Sequence, residues 1–413
     1  MSYCFPDPGR PTWGVFVHSR LAALARRVEL EVAAPRPVFP VVSRLRGLPP
    51  LRADLDGLSV HYPRWFYLPG LCKRLDGRLY ARGVRRWLDE YCRNSAPDLL
   101  DVHFVWPDGV AAMHLARRAG LPLVITLRGW LYPCLDRPEL RRQALAALHA
   151  ADAIVSVSRP LAEAAVDAGI AREKIIVIPN GVDGDTFRPR DRDIARRELG
   201  LGLDVPVLVT VAHLGPRKGH LETLRALAKL PGDVRLVLVG DCPAGGRNRR
   251  KLQELATRLG VQDRVTFAGR QDRRRVALYF NSADVSVLAS HREGCPNTVL
   301  ESLASGTPVV ATDVGAVRDI LPRQAGRIVP VRDADALACG IEDVLGRELS
   351  AEEVRGAAAP ASWDDVARRV EEVFGNVLAE REVAAGERAG AADLAAATPP
   401  DGAEQEDGGE GNR

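Results

Sequence analysis

The chain has 413 residues, 46% of them apolar and 27% charged, which is a globular balance and too much length for one ordinary core. No run of about 18 apolar residues occurs, so a membrane-spanning helix is not expected, and the opening MSYCFPDPGRPTWG has no basic-then-apolar leader pattern. Seven scattered cysteines without a CxxC pair point to reduced thiols and a cytoplasmic protein, and away from a zinc site.

The net charge of +3 is uneven. Residues 382–413 hold eight acids (Glu382, Glu387, Asp393, Asp401, Glu404, Glu406, Asp407, Glu410) against Arg388 and Arg413, a balance of −6 that leaves the body near +9. A modestly basic body suits anionic small ligands or an anionic membrane surface. Aromatic residues, at 5%, are too few for a nucleic-acid stacking platform.

In chain order, Tyr3-Cys4-Phe5-Pro6 reads as the end of a strand whose earlier part is missing, as a late start codon would produce. A loop through Gly14 leads to a helix over residues 15–27. Residues 28–66 alternate short apolar runs with proline-rich turns, as in Val38-Phe39-Pro40-Val41. From Leu71 to Cys92 a basic amphipathic helix is expected: Leu75, Leu79, Val84 and Leu88 keep helical spacing while Arg78, Arg82, Arg85 and Arg86 take the other positions. Such a helix suits peripheral contact with anionic lipid, but the favoured reading is a cover for the first-domain sheet with a solvated outer face.

Strand, helix and strand then follow at 98–104, 110–119 and 121–127, a rhythm that predicts a right-handed parallel sheet. Ligands in such sheets sit beyond the strand ends, where His103 and Arg128-Gly129 fall. Residues 153–157 and 175–178 are further strands. Asp183-Gly184-Asp185 lies in a turn and reads poorly as a metal-binding pair. A second domain starts after a linker at 188–193. Its first strand, 207–211, runs into Ala212-His213-Leu214-Gly215-Pro216-Arg217-Lys218-Gly219, which lacks the spacing of a P-loop. Phe267 falls on a later strand, at 265–269.

The most informative stretch is Ser290–Thr312, SHREGCPNTVLESLASGTPVVAT: loop, short helix, turn and buried strand. Asn297 is placed to cap the helix, and Gly306 to end it. Free N–H groups at that helix start suit a phosphate, whereas a carboxylate inside the helix, Glu301, suits a vicinal diol such as ribose. The stretch also reads as a capped surface helix with solvated acids. Ser362-Trp363-Asp364-Asp365 opens a last helix with a capping-box pattern, and the Ala/Gly/Glu/Pro composition after Val383 predicts disorder.

EGCPNTVLE followed by ASGTPVVAT closely resembles the signature of GT-B retaining glycosyltransferases of the family 4 type, also called glycosyl transferases group 1. The resemblance implies two Rossmann-like, doubly wound domains facing across a cleft. Residues 1–188 would bind the acceptor, 189–361 the nucleotide sugar, 362–382 would form a helix crossing back to the first domain, and 383–413 a disordered tail. It implies Glu293 near the donor sugar, Lys218 and His213 on the diphosphate with Arg217 assisting, and the loop Gly294, Cys295, Pro296, Asn297, Thr298 around the phosphates. It further implies Glu301 on the ribose, Phe267 by the base, and Gly14 where backbone approaches the substrates.

The chain departs from the family's commonest form twice: Arg128 replaces a histidine, and His213 replaces an arginine. Arg128 therefore stands as a binding candidate. The expected substrates are a UDP- or GDP-sugar donor and a glycan or lipid-linked acceptor of cell-surface polysaccharide synthesis. No metal or other cofactor, and no nucleic acid, is expected. Other readings are a sugar-nucleotide epimerase of the same fold and a non-catalytic nucleotide-sugar-binding protein.

Overall fold

Strands whose residues are apolar without alternation must be covered on both faces. LVITL at Leu123–Leu127 and VVAT at Val309–Thr312 are buried at every position, and each sits inside a parallel sheet flanked by helices. The computed structural model describes residues 1–39, 50–67, 73–242 and 246–397, with side chains given to 386. Pro40, Val41, Leu71 and residues 398–413, which the sequence reading included, lie outside that set.

In the first half, short strands β1 (Val32–Ala33), β2 (Arg36–Val38), β3 (Arg52–Leu55), β4 (Leu58–His61) and β5 (Arg64–Phe66) come first. Four parallel strands follow: β6 (Leu100–His103), β7 (Leu123–Leu127), β8 (Ala153–Ser156) and β9 (Ile175–Val177), in that order across the sheet. The first two residues run between β1 and β6. The Ser2 N–H donates to the Ala33 carbonyl at 2.9 Å, and the His103 N–H to the Met1 carbonyl at 3.1 Å. The expected strand end at Tyr3–Pro6 is therefore displaced: pairing falls on Met1 and Ser2. The reason is Arg36, buried, whose guanidinium takes the carbonyls of Tyr3, Phe5 and Pro6 and removes them from any ladder.

The basic helix runs Asp76–Ser95 after a 3₁₀ turn at Lys73–Leu75. Tyr80, Ala81, Val84 and Leu88 are buried on the first domain, while Arg78, Arg82, Arg85 and Arg86 face out. No helix among the described residues is long and apolar enough to cross a membrane.

The second half is one parallel sheet of β10 (Val207–Val211), β11 (Arg235–Val239), β12 (Val265–Gly269), β13 (Val285–Leu288), β14 (Val309–Thr312) and β15 (Gly326–Val329). Its spatial order is β12-β11-β10-β13-β14-β15. The order reverses between β10 and β13, so the crevice beyond their carboxyl ends is the switch point where such sheets hold ligands. Both 212–219 and 289–296 leave from those two strands.

The last helix, Trp363–Ala397, returns to the first half. Its start has a reciprocal cap between Ser362 and Asp365, and Val366, Val370, Phe374 and Val377 pack with Phe5, Val17 and Leu21. It continues past 382, where composition had predicted disorder. The Ala, Glu and Arg that leave no core-forming stripe there are also strong helix formers, and local propensity decides.

Candidate active site

The two loops at the switch point meet through one ion pair. Lys218 Nζ lies 2.6 Å from Glu293 Oε1, both partly shielded from solvent. Lys218 ends a single 3₁₀ turn, Pro216–Lys218, and Gly219 after it has φ 68°. A Cβ on Gly219 would stand 1.8 Å from the Ala289 carbonyl oxygen, so only glycine lets this loop reach the 289–296 loop. The pair is compact because backbone touches backbone behind it.

His213 is exposed, its ring turned against Gly215. Partial burial and then the Lys218 charge hold its imidazole below the usual range, so it is neutral at pH 7. It offers a hydrogen bond and no full charge. Arg217 is exposed and has no carboxylate partner among the described residues, leaving its charge free.

The helix Asn297–Ala304 is capped at Pro296, with no side-chain cap. Asn297, expected as the cap, is instead the first helical residue. Its Oδ1 is turned across the cleft instead, accepting from Asn180 Nδ2 at 2.7 Å. The N–H groups of Asn297 and Thr298 have no partner among the described residues and remain open to an anion. Gly294 lies against Gly129 of the first half: a Cβ on Gly294 would be 2.9 Å from the Gly129 nitrogen. Cys295 packs its side chain into the cores of both halves, and burial pushes its thiol up to about 11, so the thiol is inert and its backbone is what the loop presents.

Glu301, one turn into the helix, lines an interdomain cavity of about 240 Å³ with Asn297, Gly14, Phe16, Ser19, Gln271 and Arg273. Burial raises its carboxyl to about 7 against the opposing pull of Arg273. Gly14 has φ 73°, and a Cβ there would stand 2.3 Å from the Cys4 carbonyl oxygen. Glycine is thus required by the chain's own packing at the cavity wall.

Two of the expected residues are held by neighbours of their own. Phe267 is half-buried, packed against the second-domain core apart from the Glu301 cavity, with the Arg249 guanidinium 5.4 Å over its ring. Its position on β12, at the sheet edge, puts it against the helix carrying Arg249. Arg128 is not a free binding group. It is 4% exposed, stacked 4.7 Å over Phe16, and donates to Asn180 Oδ1 at 2.9 Å. His103 lies 3.4 Å away. Desolvation lowers the Arg128 pKa to about 9, which leaves it charged at pH 7.

Three residues of the site escaped the sequence reading. Asn180 links the halves, and Arg273 reaches from the second half to Ser19 at 3.5 Å and Asp183 at 3.6 Å. Gln271 stands beside it. The tight turn Pro179-Asn180-Gly181 was a usable signal for Asn180; Arg273 carries none, being one arginine among several. Asp183 accepts from the backbone of Asp185 and Thr186 and from the Thr186 hydroxyl, so it holds its own turn together. Among the described residues no cluster of three or more His, Cys, Asp or Glu is arranged to hold a metal.

Both halves of the chain resemble known proteins. The family described as Glycosyl transferases group 1 matches residues 191–376, and Glycosyltransferase Family 4 matches 14–186. A D-inositol 3-phosphate glycosyltransferase of Acidothermus cellulolyticus is 36% identical over 317 residues, 70% of each chain. The Bacillus subtilis protein TuaC, provisionally assigned as a teichuronic acid biosynthesis glycosyltransferase, is 28% identical over 348 residues, 81% of this chain and 85% of its own. Among solved structures, sucrose-phosphate synthase from Thermosynechococcus elongatus superposes with TM-score 0.76 at 23% identity, over 89% of this chain and 94% of its own. Anabaena HepE in complex with UDP-glucose gives 0.70 at 20%, over 90% and 97%. With two facing parallel-sheet domains and those sequence matches, the chain belongs to the GT-B glycosyltransferases of family 4, glycosyl transferases group 1.

Proposed function

We propose that this transferase moves a sugar, with retention of anomeric configuration, from a UDP- or GDP-sugar to a glycan or lipid-linked acceptor of cell-surface polysaccharide synthesis. The observation that carries the reading is the Lys218–Glu293 pair at the switch point, beside the open helix start at Asn297 and Thr298. A departing diphosphate needs its growing charge met by fixed donors, and Lys218 with those two N–H groups would meet it. Glu293 would then be released toward the donor sugar. Glu301, at the base of the cavity, would accept from the ribose hydroxyls as a carboxylate.

Support for the donor class comes from HepE, solved with UDP and with UDP-glucose, and support for a surface glycan from the TuaC likeness. The reading needs no resident metal, and cytoplasmic placement, where nucleotide sugars are available, belongs to it. Thermal-shift screening against UDP, GDP and their sugars, followed by transfer from radiolabelled donors, tests it. Stabilisation by one nucleotide and label in a larger product are expected. An inverted free nucleotide sugar, or binding without turnover, would replace it with the epimerase or the binding-protein reading.

A further inference from the structure

A buried cation with only neutral partners sits one side chain behind the cavity. The Arg128 guanidinium is 4% exposed, and no carboxylate lies within ion-pair distance of it among the described residues. A guanidinium has donors and no acceptor. The atom of Asn180 facing it at 2.9 Å must therefore be the amide oxygen. That fixes the orientation of a side chain itself only 5% exposed, and leaves its Nδ2 to point the other way. Nδ2 can only donate, so the Asn297 atom 2.7 Å from it must also be an oxygen. Asn297 then has one group left, its own NH₂, which has no partner among the described residues, on a residue that lines the cavity with Glu301.

From this chain of forced orientations we infer that Arg128 and Asn180 are positioning residues whose task is to hold the Asn297 amide with its NH₂ toward the cavity, as a donor to an anionic oxygen of the nucleotide. The relay rests on the donor-site reading above. It begins at the end of β7 in the first half, passes through the turn after β9, and ends at the first helical residue of the second half. A free asparagine presents either end of its amide with little preference; this one is set by a charge two residues removed. An amide NH₂ favours a phosphate or sugar oxygen, and the reversed amide would repel it.

The test uses the full-length protein and titration with UDP and with GDP. In Asn180→Asp both carboxylate oxygens accept, so Asn297 must donate inward and turn its oxygen to the cavity. Nucleotide affinity is expected to fall about tenfold, the size of one hydrogen bond to a charged group. The donor KM should rise more than kcat falls. In an Asn297→Ala background the Asn180→Asp change should alter affinity less than twofold, because the group it turns is gone. A purely structural role for Asn180 would instead give the same loss in both backgrounds, and that result, or no loss at all, overturns the relay. Asn297→Asp, which needs no rearrangement inside the fold, should also weaken binding about tenfold; affinity within twofold of the unaltered protein would count against the proposal. If the unaltered protein binds neither nucleotide, the donor-site reading itself falls, and the relay with it.

Discussion

The two faces of the cleft hold their charges in opposite ways. On the first-domain side Arg20, Asp101, His103 and Arg128 are sunk in the fold. The Met1 ammonium donates to the Asp101 carbonyl, and Arg20 to the Thr126 hydroxyl at 2.8 Å. Burial opposes charge on Asp101, but the His103 ring N–H as a hydrogen-bond donor, the Arg20 guanidinium and the ammonium outweigh it and keep its carboxyl well below the usual range. His103 is driven down to about 3, first by desolvation, and stays neutral. On the second-domain side Lys218, Glu293 and Arg217 are within reach of solvent. Inward charges shape and orient; outward charges are free to exchange partners with a substrate. The same residue types therefore carry different expectations on the two sides.

Breaking the outward pair should have the largest effect. A unit charge about 4 Å from a phosphate oxygen contributes ~4 kcal/mol at an effective dielectric near 20. Lys218→Ala should thus lower kcat/KM by roughly 10³, and Glu293→Ala should abolish measurable transfer, both read with radiolabelled donor. If both keep normal turnover, the outward charges are not the working ones.

An inward charge should register as stability instead. Asp101→Asn strands buried Arg20, 3.8 Å away, and His103, 3.3 Å away, and should cost about 3 kcal/mol in urea unfolding. Its nucleotide affinity should stay within a few-fold.

Glu301 lies between the two regimes, and its pH behaviour sharpens the contrast. Glu301→Ala should weaken nucleotide binding about tenfold with a smaller effect on kcat. Its folded pKa of about 7 exceeds the ordinary carboxyl value of 4.5, so between those limits the native state holds a proton that the unfolded chain has released. Stability from this group is complete below about 4.5 and is lost as pH rises through 7. Glu301→Gln should accordingly raise Tm relative to the unaltered protein at pH 8 and not at pH 4. Donor affinity should weaken as pH falls below 7 in the unaltered protein, and lose that dependence in the variant. The smallest effect is expected at Phe267: Phe267→Ala should leave nucleotide affinity within twofold while lowering stability.

What the sequence disclosed follows from the range of the interactions. EGCPNTVLE could be read because its loop, helix and carboxylates are close neighbours along the chain, and Lys218 because it follows a strand by a fixed turn. Arg128, Asn180 and Asn297 are separated by 52 and 117 positions and meet only through the fold, so neither the burial of Arg128 nor the loss of the Asn297 cap could be read locally. Phe267 shows the limit of a local reading: an aromatic on a strand serves a core or a pocket equally well, and its packing against the core beside Arg249 comes from the fold. The last helix failed at one end: its capping residues were legible, but a segment too poor for a core was still rich enough in helix formers to stay helical.

The meeting of Gly129 and Gly294 has a mechanical consequence. Gly294 comes up against the Gly129 backbone, so the approach of the halves at that point is set largely by main chain, indifferent to the rotamers of either residue. A single methyl at Gly294 would stand 2.9 Å from the Gly129 nitrogen and act as a wedge, pushing the loop that leads to Asn297 and Thr298 away from the first half.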